Sequence, residues 1–123
     1  MLQTLVWISL AGAIGTLFRY GLGTLVQRLH PAPFAYGTLL INILGCLVFG
    51  FIWSLAEKKT FLSYEMRVIV LVGFMGAFTT FSTYAFETAQ FLKNAQSSYA
   101  LLNIFLQNFL GIVAIFLGMR LGR

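Results

Sequence analysis

Negative charge is almost missing from this chain. It has no Asp and only three Glu against eight Lys and Arg, and charged residues fill 9% of its 123 positions. Soluble domains carry about 25%. So few polar side chains cannot cover a soluble fold, which excludes a water-soluble globule. The net charge of +5 does not mark nucleic acid as a partner, because the basic residues stand scattered between hydrophobic runs and form no patch. They read as interfacial anchors. One cysteine, Cys46, permits no intrachain disulfide and leaves the redox compartment unreadable. Inside a hydrophobic segment it reads as a small packing residue. The single histidine, His30, lies beside Pro31. No Ser-His-acid, Cys-His or metal-ligand set can be assembled around it, so an enzyme is not expected. Linkers, low-complexity tracts and internal repeats are also missing. The opening Met1-Leu2-Gln3-Thr4 carries no basic residue, so the first hydrophobic stretch is expected to be a retained helix, not a cleaved signal.

What the chain has instead is hydrophobic length. Apolar residues make up 59%, against about 45–50% in soluble domains. A helix needs about 20 such residues to cross a bilayer. Four stretches qualify, at 2–26, 34–56, 68–92 and 99–119. They predict a single all-α membrane domain, because lipid cannot satisfy a bare backbone. The connections are short: 27–33 with Pro31 and Pro33, a polar 57–67, and 93–98. Four spans put both ends on one side, with Lys58, Lys59, Arg67, Arg120 and Arg123. Only Arg28 and Lys93 lie on the other. Basic excess marks the cytoplasmic face, but five against two is a weak bias, compatible with insertion in both orientations.

Small and polar residues mark the faces that meet other helices. The first helix shows Gly12, Thr16, Arg19 and Gly23, the second Thr38, Asn42, Gly45 and Phe49. The fourth shows Asn103, Gln107, Gly111, Ala114, Gly118 and Gly122. Ordinary packing explains most of the glycines, and Asn42 and Arg19 less easily. A charge at membrane depth faces protein or water. Arg19 therefore either snorkels toward the interface or pairs inside the protein. Glu87, the one carboxylate inside a span and toward its end, reads as making a structural hydrogen bond or facing the interface.

The third stretch is a poor ordinary span. Gly73 and Gly76 weaken it, and Thr79, Thr80, Ser82 and Thr83 place four hydroxyls in five residues at mid-membrane. Such groups re-satisfy the backbone where a membrane helix breaks, which predicts a break near 76–80. A broken helix frees carbonyls in its first half and amides in its second. Carbonyls suit a hard cation, and amides suit an anion. Phe81 and Tyr84 share a helix face, with Phe78 expected on the same side. Ring edges are weakly positive. A row of them can pass a small anion without the tight grip of a fixed cation.

At these residues the chain resembles the Fluc/CrcB family of small bacterial fluoride ion channels. The strongest piece is Thr79-Thr80-Phe81-Ser82-Thr83, preceded by Gly73-Phe74-Met75-Gly76 and followed by Glu87. Gly37-Thr38-Leu39 leading to Asn42 and Gly45, and Gly12, Gly15 and Arg19-Tyr20, support it. The resemblance implies an antiparallel, dual-topology homodimer of four-helix subunits in the bacterial inner membrane, with two pores. It implies a central structural sodium ion held by the carbonyls of Gly76 and Thr79. It puts the fluoride pathway at Asn42, Phe81 and Tyr84, with Ser82 and Thr83 as a hydroxyl track. The implied role is passive efflux, which gives resistance to fluoride. Hydrogen fluoride ionises inside the cell, and the trapped anion leaves down the membrane potential. Two positions depart from the family pattern: Tyr84 stands where Phe is usual, and Ala77 where a second Gly is common. A small multidrug-type transporter is the nearest alternative. It should carry an acid in its first helix, where this chain has Arg19. An accessory membrane subunit, moving nothing by itself, is the other.

Overall fold

The computed structural model describes residues 1–57 and 62–123. Lys58 and Lys59, two of the five cations behind the expected orientation, lie outside the described residues. Among the described residues the chain is entirely helical, and four helical runs are long and apolar enough to cross a membrane. We number the helices α1 (Leu2–Leu29), α2 (Tyr36–Glu57), α3 (64–78), α4 (Phe81–Lys93) and α5 (Ser97–Leu121). Helices α3 and α4 are two halves of one span, Tyr64–Lys93.

Several boundaries differ from the sequence expectation, each for a local reason. Helix α1 continues to Leu29, and its C-terminal His30 leaves helical geometry just before Pro31. Helix α2 starts two residues late because Phe34 is drawn into a buried aromatic cluster. It stacks on Phe91 with ring centroids 6.0 Å apart, beside Tyr99. The third span starts four residues early. Ser63 caps it by accepting the Met66 amide at 3.3 Å, so the polar connection expected up to Arg67 already holds a helical turn. Arg67 then ties that turn to α2, its guanidinium donating to the Ala56 carbonyl.

Close backbone approach sets the packing. Helices α2 and α5 cross at Gly50 and Gly118. A Cβ on Gly118 would run into the Leu47 carbonyl, and one on Gly50 into the Ile115 carbonyl. Ala100, Asn103, Gln107, Gly111, Ala114 and Gly118 form the buried face of α5. Helix α1 packs on α3 by the same device: Gly15 lies on the Phe74 carbonyl. Elsewhere α1 is exposed or only partly covered; Gly15 is its one buried residue. Within α3, Val68–Met75 is π-helical, a winding found mostly as short bulges and often near functional sites.

Candidate functional site

The third span breaks where its hydroxyls cluster. Helix α3 ends at Phe78, and the next two residues are extended: Thr79 at φ −80°, ψ 158° and Thr80 at φ −148°, ψ 107°. The break is closed from both sides. Below it, the Thr79 amide and hydroxyl both donate to the Met75 carbonyl, each at 3.1 Å. Above it, Thr80 is the N-cap of α4. Its Oγ1 accepts the Thr83 amide at 3.2 Å, donates to Thr83 Oγ1 at 2.9 Å and lies 3.4 Å from Ser82 Oγ. The cap answers one of the four amides a helix start leaves bare.

Asn42 of α2 spans the gap. Its Oδ1 accepts the Thr80 amide at 2.8 Å, and its Nδ2 donates to the Thr80 carbonyl at 3.1 Å. The side-chain amide thus pairs with the extended residue as one strand pairs with another. The Thr80 amide is the group that would bond the Gly76 carbonyl in an unbroken helix, so this pairing frees that carbonyl. It also fixes the orientation of the next amide. Asn42 Nδ2 donates to Gln107 Oε1 at 3.0 Å, which leaves the buried Gln107 Nε2 without a hydrogen-bond partner. Such groups are rare in folded proteins.

The break divides the expected residues between two clefts. Asn42, Phe81 and Tyr84 line one of about 310 Å³, together with Thr80, Gln107 and Asn108. Arg19, Thr83 and Glu87 line the other, of about 560 Å³, together with Thr38 and Thr80. Ser82 is exposed and lines neither of these two clefts. Thr80 borders both. In the smaller cleft the Phe81 and Tyr84 rings meet edge to face, centroids 5.3 Å apart and planes at 64°. Phe81 is 77% exposed. Phe78 does not join them, contrary to the helical spacing. It is buried with Ile41, Leu71 and Met75, because two extended residues reset the phase of the helix between positions 78 and 81.

In the larger cleft Arg19 is half-buried, and its Nη1 reaches the Thr79 carbonyl at 3.5 Å. The guanidinium thus points at the break from α1. Glu87 Oε1 accepts the Thr38 hydroxyl at 2.6 Å, while Oε2 is buried without a partner. Farther along, Asn103 donates to Thr88 Oγ1 at 3.0 Å and joins α5 to α4.

Among the described residues no group of three His, Cys or acidic side chains could hold a metal. A cation here would rest on carbonyls. Those of Gly76 and Thr79 fit the oxygen shell that a hard ion requires. The Thr79 oxygen keeps a second lone pair besides the one facing Arg19. Sequence reasoning gave Thr80 and Gln107 no specific role. Thr80 had a local signal in the hydroxyl three residues before Thr83. Gln107 had none beyond its place on the small-residue stripe of α5.

Long apolar helices, one of them interrupted and clamped at mid-span by polar side chains, define a polytopic membrane protein built around a broken helix. The chain belongs to the family described as CrcB-like protein, Camphor Resistance (CrcB), whose sequence model matches residues 6–119. A relative from Nitrosococcus oceani is 55% identical over 118 residues, 96% of this chain and 94% of its own length. One from Nitratidesulfovibrio vulgaris is 46% identical over 122 residues, covering 99% and 98%. One from Parabacteroides distasonis is 40% identical over 116 residues, covering 94% and 90%. Each bears the name fluoride-specific ion channel FluC. With four membrane-capable helices, the chain is a multi-pass membrane protein.

Proposed function

We propose that this chain is a fluoride-selective channel that lets the anion leave the cytoplasm passively. Membership of the family, with relatives so named along nearly the whole chain, supports the substrate. The observation that carries the mechanism is the smaller cleft. There the Phe81–Tyr84 pair and the α4 N-terminus offer weakly positive edges and N–H donors without a full charge. Such a lining attracts a small anion yet releases it.

The working unit on this reading is an antiparallel, dual-topology homodimer in the bacterial inner membrane, with two pores. The exposure of Phe81 and of much of α1 supports it, since a route open on one flank needs a second wall. A central sodium ion would be held by the Gly76 and Thr79 carbonyls, two from each copy. When bound, it would lend the centre a positive field favouring anions. Asn42 keeps the Gly76 carbonyl free by holding the Thr80 amide.

Efflux followed with a fluoride electrode tests the reading. Proteoliposomes of the purified chain should release fluoride and retain chloride. Vesicles that release neither would reject a channel and favour an accessory subunit.

A further inference from the structure

Asn108 is an amide midway along α5, and it is exposed on the single copy. A polar group at that depth needs partners. Its Nδ2 has two: it donates to the Ile104 carbonyl at 2.7 Å, one turn back, and to the Tyr84 hydroxyl oxygen at 3.3 Å across to α4. The first contact anchors the amide on its own helix. The second grips the far end of the Tyr84 ring. The hydroxyl oxygen lies on the axis of the ring's terminal torsion, so a bond to it fixes where the long axis of the ring points, a direction otherwise left to the staggered choices of the first side-chain torsion. Phe81, the ring partner, is itself largely exposed and provides little confinement.

We infer that Asn108 is a positioning residue. By holding the Tyr84 hydroxyl it fixes where the Tyr84 ring stands relative to Phe81, and hence how the ring borders the smaller cleft. The inference rests on the channel reading above and deepens it. It assigns the Tyr84 hydroxyl a mechanical role that a phenylalanine could not fill.

The test is a double-mutant cycle in proteoliposomes, comparing wild type, Asn108→Leu, Tyr84→Phe and the double variant. Leucine preserves size, and the Ile104 carbonyl keeps its place in the helix. Asn108→Leu should lower fluoride flux about fivefold, the worth of one ordinary hydrogen bond. In the Tyr84→Phe background the same change should move flux less than about twofold, since there is no hydroxyl left to hold. Equal losses in both backgrounds, or no loss in either, overturn the inference. A second measurement needs no transport. With tyrosine labelled at Cζ, the Tyr84 carbon resonance of the detergent-solubilised protein should shift on Asn108→Leu. An unmoved resonance removes the hydrogen bond, and the inference with it. Wild-type protein that passes no fluoride overturns the channel reading instead, whatever the resonance does.

Discussion

Asn42 shows how one side chain can carry both structure and selectivity. Its amide uses the oxygen on the Thr80 amide and the nitrogen on the Thr80 carbonyl and Gln107 Oε1. Asn42→Asp keeps the acceptor and deletes both donations. Two oxygens would then face a carboxylate, and an unmet polar group costs about 1–3 kcal/mol when buried. The new charge would also repel an anion in the cleft. Fluoride flux at neutral pH should therefore fall by about tenfold or more. Wild-type flux from the purified variant would remove Asn42 from the route. The sequence suggested Asn42 through its polarity at mid-span, because an amide in lipid has few innocent explanations. It could not suggest the partners, because they come from α4 and α5, 38 and 65 residues away. Gln107 was legible only as part of the packing stripe of the fourth helix, for the same reason: its unpartnered nitrogen exists only because Asn42 orients the rest of the amide.

Among the helices, what was legible followed from local chemistry. Hydrophobic length gave the four spans, and the Thr/Ser cluster gave the break. Phe78 marks where that logic stops, since helical spacing holds only while the helix is continuous. The π-winding of Val68–Met75 left no mark in the composition; it accompanies the close seating of Gly73 on the Ile8 carbonyl, 3.0 Å from where a Cβ would lie. The end of α4 makes a prediction of its own. Gln96 donates to the Phe91 carbonyl at 2.8 Å and Ala95 to the Leu92 carbonyl at 3.1 Å, the paired bonds of a Schellman cap. The left-handed position of that cap is Ala95, at φ 58°, where glycine is usual because a Cβ costs about 1 kcal/mol or more. Ala95→Gly relieves that strain and loosens the unfolded chain, two effects of opposite sign. The strain dominates, so the variant should be more stable by about 0.5–1 kcal/mol. Thermal unfolding in detergent checks this: a midpoint at or below that of wild type rejects it.

For the whole molecule the open matter is what covers the flank of the single copy. Helix α1 buries one residue, and Phe81 stands 77% exposed beside a cleft lined with amides. Lipid can cover leucine and phenylalanine, but it cannot offer a partner to the polar lining of that cleft. A second copy can, and the charge pattern bears on its direction. Strong basic asymmetry would force every copy to insert the same way. Five cations against two is weak, and two of the five, Arg67 and Arg120, lie within the ends of helices. An antiparallel pair should therefore expose the turn before α5 equally on both sides of the membrane. Ser98, exposed in the first turn of α5, is a suitable reporter. In a Cys46→Ala background, Ser98→Cys should react with a membrane-impermeant maleimide in about half of the copies in intact cells, and in all of them after permeabilisation. Labelling of every copy, or of none, before permeabilisation would mean a single orientation. The two copies would then have to meet in parallel, and their Gly76 and Thr79 carbonyls could not be related by a twofold axis in the membrane plane.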